Sequence, residues 1–131
     1  MSLRLSAALL LDKVQQGGSL NTLYDEAQRD VDDSQRAFFK ELVYGSLRLW
    51  PLYKGITRQL LEKPLKPKDS ALEALLIVAL YELDECTTPA YASVSAAVEV
   101  CHELNRAWAA KLLNACLRRY QRDCVALRAQ L

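Results

Sequence analysis

The chain has 131 residues, which is the length of one ordinary domain. Half of its residues are hydrophobic (51%) and a quarter are charged (25%), a composition typical of globular proteins that excludes intrinsic disorder. The longest apolar run, ALLIVALY at positions 74–81, is far shorter than the roughly 20 residues that a membrane-spanning helix needs. We therefore expect a cytoplasmic protein without a membrane span.

Apolar residues recur at helical spacing along almost the whole chain, and no segment has the alternating pattern of a strand. The sequence thus predicts an all-α bundle of about seven helices, with space for a shorter helix at the end. The expected bounds are 3–16, 20–28, 34–49, 51–62, 70–84, 93–104 and 107–122.

Polar side chains and glycine mark the expected ends of these helices. Gly17 is expected to stop the first helix, and Ser70 with Glu73 has the spacing of a capping box at the start of the fifth. The other expected N-terminal caps are Ser19, Ser93 and Asn105. Gly45 lies inside the third predicted helix, where it favours the close approach of another helix over contact with a ligand.

The segment KPLKPKD, at positions 63–69, is the clearest connector in the chain. Its two prolines stand three residues apart, and a helix cannot continue through them. We expect one domain over residues 1–131, with this connector between two small helical subdomains.

Basic residues are concentrated near the C-terminus, although the net charge of the chain is only +1. Positions 106–131 hold six basic residues against one acid, Asp123. In KLLNACLRRYQRD (111–123), steps of about 100 degrees per residue place Lys111, Arg118 and Arg122 within about 20 degrees of one line, with Arg119 nearer 80 degrees. This stripe is either a solvated helix face or a ridge that contacts phosphates. No aromatic residue is expected on the basic face itself, which argues against base stacking.

The cysteines do not suggest a catalytic or metal site. Cys86, Cys101, Cys116 and Cys124 form no C-x-x-C pair, and the single histidine, His102, adjoins Cys101 and points elsewhere on a helix. Cys116 falls on the apolar arc opposite the basic stripe, where burial makes a thiol less reactive. The residues alone therefore indicate no catalytic constellation and no metal ligands.

Three stretches together resemble the NusB superfamily. They are RAFFKELVYGSLR (36–48), LLIVALYELDECTTPAYASVSAAVEV (75–100) and KLLNACLRRYQRD (111–123). The Asn-Ala-x-Leu-Arg-Arg form of the third stretch, and LLEKPLKPKD before it, look most like the N-terminal domain of RsmB-type (Sun or Fmu) methyltransferases. Those enzymes modify cytosine C5 of small-subunit ribosomal RNA.

The resemblance implies a NusB-like all-helical fold in two small subdomains and a role in binding ribosomal RNA. In those methyltransferases a C-terminal catalytic domain follows, which binds S-adenosylmethionine and carries the reactive cysteines. We therefore expect no cofactor in this chain, with ribosomal RNA and the chain's own catalytic domain as partners. The expected RNA contacts are Lys111, Arg118, Arg119 and Arg122, with Arg48 and Arg4 as weaker candidates.

Two alternatives remain open. A stand-alone NusB-type transcription antitermination factor would bind RNA with a small ribosomal protein, but such factors carry an arginine-rich N-terminal segment, where this chain has only Arg4 and Lys13. The other alternative is a protein-interaction module that packs on its own catalytic domain and leaves the basic face to solvent.

Overall fold

The computed structural model describes all 131 residues, and every regular element in it is a helix. The predicted all-α class and the number of helices are confirmed. The seven α-helices are α1 (Leu3–Gln15), α2 (Leu20–Gln28), α3 (Arg36–Arg48), α4 (Trp50–Leu60), α5 (Ser70–Glu85), α6 (Ala90–Glu103) and α7 (Ala110–Ala129). Short 3-10 turns precede three of them, at Asp33–Gln35, Pro67–Asp69 and Ala107–Ala109.

Helix α5 is the centre of the molecule. It is apolar on nearly all sides, and its residues from Ala74 to Glu82 are all buried. Helices α1, α3, α4, α6 and α7 all pack against it. The buried apolar side chains form one cluster with members on both sides of the connector, so the two halves of the chain share a single core around α5.

The first predicted helix end and the next helix start are confirmed. Gly17 has a φ of 101 degrees, and the amide of Gly18 donates to the carbonyl of Lys13 at 2.9 Å, which closes α1. The hydroxyl of Ser19 then accepts a hydrogen bond from the amide of Thr22 at 3.5 Å and caps α2.

Two predicted caps in the C-terminal half are wrong. Helix α6 begins at Ala90 with Pro89 in the N-cap position, and Ser93 is buried inside the helix, where its hydroxyl bonds Glu82. Asn105 ends α6 rather than starting α7. It has a φ of 56 degrees, and the amide after it, on Arg106, donates to the carbonyl of Cys101 at 2.8 Å.

The predicted capping box of α5 is also wrong. Asp69 holds the N-cap position, and no side chain caps the helix there. The Ser70 hydroxyl accepts a hydrogen bond from Gln16, and Glu73 forms an ion pair with Lys54 of α4. Both side chains are thus used to join helices rather than to close a terminus.

A buried carboxylate joins three helices near the C-terminal end of α5. Glu82 is only 1% exposed and accepts two hydrogen bonds from Arg4 of α1, at 2.8 and 2.6 Å, and one from Ser93 of α6 at 2.9 Å. Burial by itself raises the pKa of Glu82, but the hydrogen bonds from Arg4, Ser93 and Thr88 outweigh it and the pKa is lowered. The carboxylate is therefore held ionised inside the fold.

We expect Glu82→Gln to lower the free energy of unfolding by about 2–3 kcal/mol at pH 7, because the partly buried Arg4 loses its buried ionic partner. The native pKa lies below the ordinary value of 4.5, so this stabilisation is fully present above about pH 4.5 and is lost as the pH falls through the native pKa. Urea unfolding of both proteins between pH 7 and pH 3 should show the difference shrinking on acidification.

Glu99→Gln is the matched control, since Glu99 is exposed on α6 and makes no side-chain hydrogen bond or ion pair. We expect it to unfold like the wild type at every pH. A Glu82→Gln penalty that stays constant down to pH 3 would contradict the role of the ionised carboxylate.

Gly45 allows α3 to approach α5 closely, as predicted. A Cβ atom at this position would overlap the end of the Tyr81 ring, which lies buried in α5. The absence of a side chain here is therefore a packing requirement between two helices.

Gly45→Ala should destabilise the protein by about 1–2 kcal/mol, because displacement of the Tyr81 ring outweighs the gain of about 1 kcal/mol in helix propensity. Gly55→Ala in α4 serves as the control, since its Cβ would meet only the flexible end of the exposed Leu131 side chain. Thermal unfolding of the two variants should give shifts of opposite sign, and equal stabilisation of both would contradict the packing argument.

Candidate nucleic-acid interface

Helix α7 separates its cysteine from its charges. The buried side of the helix carries Leu113, Cys116, Leu117 and Tyr120. The exposed side carries Lys111, Arg118, Arg119 and Arg122, which we call the basic stripe. Burial raises the pKa of Cys116, so its thiol stays protonated and unreactive near neutral pH. The predicted division between apolar arc and charged face is confirmed.

The four charges of the basic stripe are not equally free. Lys111 makes no ion pair or side-chain hydrogen bond, and Arg118 donates only to Asn114 of its own helix at 3.2 Å. Arg119 donates to the Gln59 carbonyl at 3.2 Å and lies 3.9 Å from Asp123. Arg122 lies 3.3 Å from the same carboxylate. Lys111 and Arg118 are therefore the two members of the stripe without an acidic partner, while Arg119 and Arg122 together keep one net positive charge against Asp123.

A kink at Asp123 ends the straight part of α7. Its φ of −117 degrees and ψ of 19 degrees are not helical, and the helix continues beyond it in a changed direction to Ala129. The predicted end near 122 and the predicted shorter helix after it correspond to the two arms of this kinked helix. The stripe lies entirely on the first arm.

The second arm fixes α7 against the core through Asp84 of α5. One oxygen of Asp84 accepts hydrogen bonds from Tyr53 at 2.8 Å, Tyr120 at 2.6 Å and Arg128 at 2.5 Å. Burial and the bond to Asp84 raise the pKa of Tyr120 to about 12, so the phenol remains a donor at ordinary pH. This cluster ties α4, α5 and α7 together and thereby sets the direction in which the stripe faces.

An aromatic side chain from α6 lies beside the stripe, contrary to the expectation of a basic face without aromatics. Tyr91 is 80% exposed and lines a groove between α6 and α7 together with Lys111 and Arg118. The groove floor includes Val94, Val98 and Ala110. Helical projection of α7 alone could not reveal this neighbour, because Tyr91 is distant in sequence and comes from another helix.

The other two candidate arginines lie apart from this groove. Arg48 is exposed at the end of α3, in a recess lined by Lys40, Glu41 and Tyr44 that includes no residue of α7. Arg4 is 23% exposed. Its guanidinium forms an ion pair with Glu82 and lies over the ring of Phe38, 5.5 Å from the ring centre. Both remain predictions as RNA contacts, and neither lines the groove beside the stripe.

The thiols of Cys86 and Cys101 are also held in the neutral state. Burial, together with a hydrogen bond to Glu41, raises the pKa of Cys86 to about 12, and burial raises the pKa of Cys101 to about 11. All four cysteines are free.

None of the helices combines the length and the apolar character required to cross a membrane.

Known proteins are similar to this chain over nearly its whole length. The NusB family model matches residues 1–122. The ribosomal RNA small subunit methyltransferase B of Vibrio vulnificus is 38% identical over 128 residues, which are 97% of this chain and 30% of that protein. The proteins of the same name from Pseudomonas putida and Xanthomonas campestris are 39% and 42% identical, over 94% and 92% of this chain and 28% of each relative.

The chain thus spans about 30% of the length of the curated relatives that it matches. The family match covers all seven helices up to the kink of α7, including the stripe and the groove beside Tyr91. The predicted family is confirmed: the chain belongs to the NusB family.

Proposed function

We propose that this chain is the RNA-binding, N-terminal domain of a small-subunit ribosomal RNA cytosine-C5 methyltransferase. The observation that carries the proposal is the pair of unneutralised charges, Lys111 and Arg118, on a rigid helix beside the exposed ring of Tyr91. Positive side chains bind phosphates, and an exposed aromatic face accepts an unpaired base.

The geometry of the stripe suits binding to an RNA backbone. Lys111 and Arg118 are two helical turns apart, a separation of about 10 Å along the axis. Arg119 and Arg122 follow on the same helix, and their shared carboxylate, Asp123, is partly solvent-exposed. An approaching phosphate would compete with Asp123 for both guanidinium groups, which makes them secondary RNA-binding residues.

Methyl transfer itself belongs, on this proposal, to a catalytic domain outside these 131 residues. S-adenosylmethionine chemistry would be supplied there, because the relatives named as methyltransferases extend well beyond the part that this chain matches. The role of this chain would be to hold ribosomal RNA beside that domain, which would be its second partner.

The names of the relatives favour a methyltransferase domain over a stand-alone antitermination factor. The proteins from Vibrio vulnificus, Pseudomonas putida and Xanthomonas campestris are all named as ribosomal RNA methyltransferases. The N-terminal helix also argues against an antitermination factor, because its only arginine, Arg4, is ion-paired with Glu82. A pure protein-interaction module would leave the stripe as a solvated helix face, and a test of RNA binding distinguishes the two interpretations.

Reversal of Lys111 and Arg118 to Glu should weaken binding to a small-subunit ribosomal RNA fragment tenfold or more at low salt, because two attractive interactions with phosphates become repulsive. The slope of log affinity against log salt should fall by roughly 0.7 for each phosphate of a single-stranded RNA that the variant no longer neutralises. Fluorescence anisotropy with a labelled fragment over a salt series measures both quantities.

The matched control reverses Lys13 and Arg29 to Glu, which makes the same change in net charge on the α1 and α2 side of the molecule. Both residues are exposed and form no ion pair. We expect this control to retain most of the affinity and the full salt slope. Equal decreases in affinity for the two double variants would mean that RNA responds only to net charge, and the interface assignment would fail.

A further inference from the structure

A second cluster of basic side chains surrounds an exposed tryptophan on another part of the surface. The connector and the turn before α7 form a recess, which we call the connector recess. It is lined by Lys63, Pro64, Leu65, Lys66, Lys68, Asp69, Asn105, Arg106 and Trp108. We propose that the connector recess binds an unpaired RNA nucleotide, with its base stacked on Trp108 and its flanking phosphates held by the connector lysines. The inference rests on the proposed RNA-binding function and adds a site to it.

Trp108 is the first observation in favour. It is 59% exposed in the 3-10 turn before α7, although tryptophan is usually among the more buried side chains. The chain has only two tryptophans, and the other, Trp50, is packed against the core. An exposed indole face is a good stacking surface for any base.

The charges around Trp108 are the second observation. Lys63, Lys66 and Lys68 are all exposed, and none of them forms an ion pair. The one acid of the recess, Asp69, is buried and already paired with Arg106 at 2.9 Å. Three unneutralised cations around one aromatic ring fit a nucleotide with its phosphates, and they oppose the burial of a purely apolar partner.

The recess is preformed. Arg106 joins its two walls, because its side chain bonds Asp69 at the end of the connector and the Asn105 carbonyl at the end of α6. Asn105 itself adopts a left-handed backbone, which turns the chain sharply toward Trp108. A bound nucleotide would therefore meet a backbone already held in place on both sides of Trp108's turn and need little ordering of the main chain.

The connector recess is continuous with the basic stripe. Lys63 also lines a neighbouring groove, whose opposite wall is formed by Leu112, Ala115 and Arg119 of α7. Trp108 stands three residues before Lys111 in the chain. A single strand bound at Trp108 can thus pass Lys63 and reach Arg119 of the stripe along this groove, which also holds one exposed acid, Glu62.

The test compares Trp108→Ala with Trp108→Phe in the 131-residue chain, using a 12-nucleotide single-stranded RNA and a duplex of the same sequence. Trp108→Ala should weaken binding of the single strand about tenfold, and Trp108→Phe should stay within about threefold of the wild type, because a phenyl ring still stacks. Affinity for the duplex should change by less than about twofold in both variants, since its bases are not free to stack.

Tryptophan fluorescence supplies an independent readout. In a Trp50→Phe background, the single strand should quench the emission of Trp108, whereas the duplex should leave it nearly unchanged. Lys66→Gln with Lys68→Gln should lower the salt slope by roughly 1.4, and Lys13→Gln with Arg29→Gln should leave it unaltered. Circular dichroism of every variant verifies that the helices are retained.

The outcomes separate this inference from the proposed function. Reversal of Lys111 and Arg118 could abolish binding while Trp108→Ala binds normally and RNA does not quench Trp108. RNA binding by the stripe is then supported, and nucleotide binding in the connector recess is overturned. Equal decreases in affinity for Trp108→Ala and Trp108→Phe would also overturn it, because stacking is then not the cause. Quenching of Trp108 by an acidic peptide as strongly as by RNA would assign the recess to a protein partner instead. Failure of both the stripe and the recess variants to alter binding would reject both proposals.

Discussion

Two arginines from opposite ends of the chain are anchored on carboxylates that lie two residues apart in α5. Arg4, near the N-terminus, binds Glu82, and Arg128, near the C-terminus, binds Asp84. Acids at the C-terminal end of a helix are opposed by its dipole, so these carboxylates depend on cationic partners. Both ends of the fold are thereby attached to the same end of the central helix, and the orientation of α7 follows from this constraint.

Ion pairs also reduce the positive charge of the basic C-terminal region. The sequence places six basic residues after position 105 against one acid, yet Arg106 and Arg128 are neutralised by Asp69 and Asp84 from the preceding part of the chain. Arg119 and Arg122 share Asp123. The positive charge of α7 therefore consists of the unpaired Lys111 and Arg118 and one net charge left by Arg119 and Arg122 against Asp123, and the exposed connector lysines add to it.

Local pattern was sufficient for the helices and for the burial of Cys116, because both depend on apolar spacing within a single segment. It failed at Ser93 and Ser70, whose hydroxyls form hydrogen bonds with residues outside their own helices. It also failed at Asn105, whose left-handed backbone ends α6 instead of starting α7. Local pattern could not predict the neighbours of the stripe either, because they come from other segments of the chain. Tyr91 reaches Lys111 and Arg118, and Trp108 reaches the connector lysines, only through the packing of α6, α7 and the connector. The family could be inferred from short motifs because their order along the chain carries information that no single motif has.

A domain of this design would bind RNA without reading much of its sequence. On our proposals, each aromatic side chain, Tyr91 or Trp108, offers a ring face to an unpaired base, and the neighbouring cations meet phosphates; neither interaction distinguishes one base from another. With two rings in different places, the domain would instead favour RNA with unpaired nucleotides at two points along a strand. Choice of the target cytosine would then rest with the catalytic domain, and this domain would contribute affinity and orientation. Such a division of labour is consistent with a surface whose free charges are few but held on well-anchored helices.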